Sequence, residues 1–235
     1  MNLTHADIKR IRSLGTKKFR DETGLFTVEG EKLVEEALNS RFRVERIIRR
    51  DEVGETVMGR ISQLSTPPPV LAIVRKEEEG PLPGRGLFLA LDGIRDPGNL
   101  GTILRIADWF GVDAVLASPD TVDRYNPKVV QATMGAIFRI RFVTADLPSA
   151  LRTIRQEGGK VYGTFLDGEN IFSQELTNGS DAPAVLVVGN EANGISAPVA
   201  EVVSARLTIP RYGHGESLNA AVATAVAIAE FRRRQ

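Results

Sequence analysis

The sequence predicts an α/β protein whose larger part is a parallel sheet covered by helices on both faces. Three observations carry this. Short apolar runs alternate with segments of helical spacing from residue 87 onward, a stretch rich in charge, proline and glycine breaks the periodicity at 76–84, and three apolar runs end in loops rich in glycine and asparagine. Runs this short and apolar, separated by helices, mark strands buried on both faces. Ligands of such sheets sit beyond the carboxyl ends of the strands.

Taken in order, residues 7–14 and 30–39 carry helical spacing, 44–48 and 70–74 read as strands, and Thr66-Pro67-Pro68-Pro69 is a stiff turn. These make a small α/β domain over residues 1–75. The linker is Lys76-Glu77-Glu78-Glu79-Gly80-Pro81-Leu82-Pro83-Gly84, and 85–235 form the second domain. There, strands are expected at 87–91, 114–117, 161–166, 184–188 and 207–209, and helices at 100–110, 126–137, 147–157 and 218–234. The last helix is almost continuously small and apolar from Ala220 to Ala229. A helix apolar on every side is buried on every side. Arg232, Arg233 and Arg234 close it where cations favour the helix dipole, so no RNA role is needed for them.

The 235 residues are 42% hydrophobic, enough for one large core or two modest ones. The absence of cysteine excludes disulfides and thiolate metal sites. No apolar window is long enough to cross a bilayer and the first ten residues have no apolar core, so a soluble cytoplasmic protein is expected. Net charge is zero but unevenly spread: residues 1–75 hold 14 Lys/Arg against 11 Asp/Glu, and 76–235 hold 16 against 19. The excess gathers at Lys9, Arg10, Arg12, Lys17, Lys18 and Arg20, and again at Arg41, Arg43, Arg46, Arg49 and Arg50. Such clusters are either solvated helix faces or a footprint for a phosphate backbone.

The most informative stretch is Ile209-Pro210-Arg211-Tyr212-Gly213-His214-Gly215-Glu216-Ser217-Leu218-Asn219. Its glycines let main-chain groups approach a ligand closely, and Ser217 is a candidate N-cap for the helix that follows. Two other junctions share this build. One runs from Leu89 through Asp92-Gly93-Ile94-Arg95-Asp96-Pro97-Gly98-Asn99, the other is Val187-Val188-Gly189-Asn190-Glu191-Ala192-Asn193-Gly194. Three such loops can converge on one pocket.

These segments, in this order, resemble the three motifs of the SpoU/TrmH-type RNA 2'-O-ribose methyltransferases of the SPOUT superfamily. Asp92, Asp96, Pro97, Asn99, Gly101 and Arg105 stand in the first, Gly189, Glu191 and Gly194 in the second, and Ile209, Pro210, Ser217, Leu218 and Asn219 in the third. The segment from Lys17 through Gly24-Leu25-Phe26-Thr27-Val28-Glu29-Gly30 to Ala37 resembles the RNA-substrate-binding domain fused ahead of this unit. The likeness covers nearly the whole chain.

The resemblance implies a SPOUT sheet with a C-terminal trefoil knot, preceded by a ribosomal L30e-like α/β domain. It implies S-adenosylmethionine as methyl donor, held around Thr164, Gly189, Ile209, Ser217, Leu218 and Asn219, with no metal. Catalytic roles fall on Arg105, Asn99, Glu191, Ser217 and Asn219, and RNA contacts on Lys17, Lys18 and Arg20. It further implies a homodimer in which Arg105 of one subunit approaches the donor pocket of the other. Ribosomal RNA is the expected substrate, with transfer RNA, or a non-catalytic RNA-binding or ribosome-assembly role, as the alternatives.

The residues add their own constraints. Asn99 ends a strand-to-helix turn from which its amide can hold the Glu191 loop or the third loop in register, or simply cap. Glu191 and Asn219 likewise orient their surroundings or cap helices, while Asp92 and Asp96 tie down the 93–98 turn. A guanidinium is always protonated and accepts no proton, so Arg105 suits a clamp better than a base. Gly189 to Ser196 has the spacing of a phosphate-binding P-loop, but Ile195 replaces the lysine that loop requires. No dinucleotide fingerprint is present, and His5 and His214 lack partners for a metal site, leaving His214 as a rim residue.

Overall fold

The computed structural model describes residues 3–233, so Arg234 lies outside the described residues. In order, the elements are α1 (His5–Ser13), α2 (Lys17–Thr23), β1 (Leu25–Glu29), α3 (Glu31–Leu38), β2 (Val44–Arg49), α4 (Arg50–Val53), α5 (Glu55–Ile61), β3 (Val70–Arg75), β4 (Leu87–Asp92) and α6 (Pro97–Trp109). There follow β5 (Ala114–Ala117), α7 (Pro127–Thr133), β6 (Phe142–Thr144), α8 (Leu147–Gln156), β7 (Lys160–Asn170), β8 (Ala184–Gly189), α9 (Ala197–Ala200), β9 (Ala205–Thr208) and α10 (Ala220–Arg233). The chain divides into two compact units, one holding residues up to Glu78 together with Asp123–Arg139, the other Glu79–Val122 together with residues from Ile140 onward. None of the described helices is long and apolar enough to cross a membrane.

The first unit is an antiparallel sheet in the order β1-β3-β2 between two apolar layers. Period-two alternation along β3 sends Val70, Ala72 and Val74 to one face and Leu71 and Ile73 to the other. The first face packs on Leu33, Val34 and Ala37 of α3, with Tyr125, Val130, Ile137 and Phe138 from the 123–139 segment. The second packs on Ile8 and Ile11 of α1 and on Met58 and Ile61 of α5. The 123–139 segment, which its sequence position sets within residues 85–235, thus completes the core of the first unit. Its helix is shorter than the expected 126–137 span, because Met134 (φ 51°) and Gly135 (φ 97°) both take left-handed backbone and end it.

The second unit is a six-stranded sheet in the order β6-β5-β4-β8-β7-β9, parallel throughout. All six residues of β4 are buried, as expected of a strand covered on both sides. One face packs Phe88, Ala90, Val185 and Val187 under α8 and α9. On the other lie α6 and α10, with Phe231 of α10 edge-on to Tyr162 at 5.2 Å. Helix α10 is covered on one side within the chain. Ala220, Ala221, Thr224, Ala227, Ile228 and Phe231 are buried, whereas Val222 is 49% exposed. Arg232 also does more than meet its own helix dipole: its guanidinium donates to the carbonyls of Phe110 (2.7 Å) and Gly111, where α6 ends.

Candidate active site

Each of the three loops is built by a short polar side chain that bonds main chain. At the end of β4, buried Asp92 accepts from the Ser196 amide at 2.7 Å. Gly93, at φ 72°, donates its N–H to Ser118 Oγ (2.9 Å) and its carbonyl accepts from Asn190 Nδ2 (2.7 Å). Asp96 caps α6 through the Asn99 amide at 2.8 Å, with Pro97 at the first helical position, where its missing N–H costs nothing. Asp96 thus closes the 93–98 turn as its position suggests, whereas Asp92 ties the end of β4 to the start of α9 instead.

Beyond β8, Asn190 and Gly194 exchange backbone hydrogen bonds of 3.0 and 2.8 Å, and Asn190 Oδ1 accepts from the Ala192 amide at 2.9 Å. A side chain at Gly189 would put a Cβ 2.2 Å from the Gly194 carbonyl carbon, so only glycine closes this turn. At the third loop the helix cap is Asn219 rather than Ser217. Asn219 Oδ1 accepts from Ala221 N at 2.9 Å, while Ser217 is exposed and makes no hydrogen bond among the described residues. Capping by Oδ1 fixes the amide orientation, and its Nδ2 then donates to Asn99 Oδ1 at 2.9 Å. Asn99 in turn donates from Nδ2 to the Glu191 carboxylate. One side chain on α6 thereby joins all three motif loops.

The other expected donor-site residues lie at the same ends of the strands. Thr164 in β7 donates to the Val187 carbonyl of β8 at 3.2 Å, and Ile209 and Leu218 bracket the loop that leaves β9. Among the described residues, no backbone–backbone hydrogen bond involves 209–218; the Gly215 carbonyl accepts from Arg211 Nη1 at 3.2 Å, and the main chain of this loop is otherwise left to meet a ligand. That suits a methyl donor gripped by backbone atoms. Tyr212, on the same loop, is 92% exposed. Arg105 stands apart on the exposed side of α6, paired with no described residue.

The expected RNA-contacting cluster divides. Lys17 and Lys18 are exposed, each paired within its own helix with Asp21 (2.5 Å) or Glu22 (3.9 Å). Arg20 is a correction: its side chain is only 2% exposed, held by Asp123 Oδ2 at 2.7 Å and by the Leu14 carbonyl at 2.9 Å. These partners take three of the five guanidinium N–H donors, and burial in the core of the first unit keeps the charge from a phosphate. The sequence reading gave no role to Asn190 and Ser118, whose side chains do most to hold the loops. An asparagine directly after a strand-ending glycine is the signal that points to such a turn.

Residues 86–229 match the SpoU rRNA Methylase family, and residues 5–53 match the MRM3-like substrate binding domain. The chain belongs to the SpoU rRNA methylase family. It is 36% identical over 240 residues to the 23S rRNA (guanosine(2553)-2'-O)-methyltransferase RlmP of Bacillus subtilis, covering 96% of this chain and 95% of that one. Over 151 residues it is 34% identical to the 23S rRNA (guanosine-2'-O-)-methyltransferase RlmB of Neisseria meningitidis, covering 63% and 59% of the two. The AdoMet-bound rRNA methyltransferase from Sinorhizobium meliloti superposes with a TM-score of 0.90 at 32% identity, over 100% of this SpoU chain and 98% of that one.

Proposed function

We propose that this protein transfers the methyl group of S-adenosylmethionine to a ribose 2'-hydroxyl of ribosomal RNA, as a cytoplasmic homodimer with shared sites. The observation that carries this reading is the Asn99 amide, which joins the Glu191 loop to the Asn219 loop where β4, β8 and β9 end. The names of the relatives and the donor-bound Sinorhizobium structure support the donor and the RNA. The trefoil knot belongs to the same reading, supported by β8 lying between β4 and β7.

The sulfonium supplies an already activated methyl group, so the chain's task is positioning, exclusion of water and handling of one proton. Asn99 fixes the loops, and Thr164, Gly189, Ile209, Ser217 and Leu218 surround the donor. Arg105 clamps ribose or phosphate and stabilises the developing alkoxide. The 2'-hydroxyl proton leaves to a group with a lone pair: the Glu191 carboxylate, a substrate phosphate or water. Arg105 lies six residues from Asn99, about 120° around α6 at 3.6 residues per turn. It therefore sits on a different side of the helix from the Asn99 cluster, as a residue serving a second subunit's pocket would. Trp109 (85% exposed) on α6 and Val222 on α10 add unpartnered apolar surface for that dimer.

The test is donor calorimetry and light scattering on the full chain, with 2'-O-methyl mapping of total RNA before and after incubation. Donor binding, a dimer and one new site in ribosomal RNA are expected. A new site in transfer RNA moves the substrate, and no donor binding with no new site replaces the enzyme with an RNA-binding protein.

A further inference from the structure

The first unit holds an open cleft of about 410 Å³, lined by Gln63, Leu64, Pro127, Lys128, Gln131 and Ala132. Its two walls are far apart in sequence and are built from one buried residue. The Glu29 carboxylate accepts from Ser62 Oγ and from the Gln63 amide (2.8 Å), fixing one wall, while the Glu29 carbonyl accepts from Gln131 Nε2 at 2.8 Å, fixing the other. Gln63 is held a second time, by Nε2 donating to the Arg12 carbonyl at 3.0 Å, and Arg12 also donates to the Ser62 carbonyl. A buried carboxylate is costly unless fully hydrogen-bonded, and here its bonds go into shaping a surface cleft.

The lining chemistry is specific. Each glutamine is pinned by one N–H to a carbonyl, which leaves it an acceptor oxygen and a second N–H. Leu64, Pro127 and Ala132 offer apolar surface, and Lys128 is exposed without a carboxylate partner among the described residues. Apolar faces, paired amide donors and acceptors and a single free cation match an unstacked nucleobase with its adjoining phosphate.

We infer that this cleft receives one splayed nucleobase of the RNA substrate, read by Gln63 and Gln131, with Lys128 on the neighbouring phosphate. The inference rests on the methylation reading above and adds a recognition site in the first unit. It also assigns a purpose to the 123–139 segment: that segment supplies Pro127, Lys128, Gln131 and Ala132, a wall that residues 1–78 lack.

The test uses the full-length protein with in vitro transcribed 23S and 16S rRNA. Ala132→Trp fills the cleft, and Lys128→Ala and Gln63→Ala remove contacts from its rim. Ala132→Trp is expected to raise the RNA KM at least tenfold and the other two several-fold, with kcat at saturating RNA and donor affinity within twofold of wild type. Lys128→Arg should restore the wild-type KM. Folded variants with an unchanged KM, against an active wild type, overturn the cleft and leave the proposed function standing. If Ala132→Trp does not fold, the two rim variants decide alone. A wild type that binds no donor and methylates neither transcript removes the proposed function, and the cleft's role with it.

Discussion

Arg20 on α2 and Arg105 on α6 look alike in the sequence, each an arginine on an amphipathic helix within a stretch similar to a functional motif, yet they end in opposite surroundings. Arg20 is enclosed, with Asp123 and the Leu14 carbonyl taking three of its donors, while Arg105 is exposed and paired with no described residue. The first charge is consumed by the fold; the second is left over for something else. An arginine's meaning in this chain is thus set by its partners, and Arg20's partner lies 103 residues away.

Four experiments break or sharpen that contrast. Arg20→Ala strands a nearly buried carboxylate at Asp123, so urea unfolding should show a loss of about 3–5 kcal/mol, with the salt slope of RNA binding unchanged for folded protein. A small loss with a flatter slope would make Arg20 a phosphate contact after all. Arg105→Ala should do the reverse: turnover falls by about 10²–10³-fold, the magnitude typical of losing one group that stabilises transition-state charge, while the melting temperature holds. Wild-type turnover would return Arg105 to ordinary surface.

Asn99→Ala unties the three loops and should cost about 1–2 kcal/mol in kcat/KM, near tenfold, with little change in global stability. Asn99→Asp should be worse than alanine, since it sets a second carboxylate against Glu191; equal effects would mean the Asn99–Glu191 contact is idle. Smallest of all, neutralising Lys17 and Lys18 together should weaken RNA binding only a few-fold and lower the salt slope by at most about 2. No change in slope assigns both to solvated surface.

Much of this was legible in the chain. The strands at 87–91, 114–117 and 184–188 are dense apolar runs, and the three motif loops announce themselves by glycine and asparagine at strand ends. The Asn99 contact was legible too, because a side chain closing a strand-to-helix turn has few places to send its amide. What was hidden depended on distant pairing. The spacing of residues 126–137 is helical whichever core receives it, so nothing local assigns α7 to the first unit. Ser217 and Asn219 are both good caps two residues apart, and the choice is made by Asn99. Every residue of β1 is buried, which erases the alternation by which a strand is recognised.

The position of β8 bears on how this protein is made. The strand occupies residues 184–189, yet it lies inside the sheet between β4 and β7, both synthesised earlier. Until about four-fifths of the chain has left the ribosome, those two strands expose unpaired edges with no neighbour to bridge them. Such long-range pairing is slow and leaves aggregation-prone edges open while it waits. Refolding from denaturant should therefore show a late step set by the arrival of residues 184–189, and nascent chains stalled before that point should depend most on chaperones.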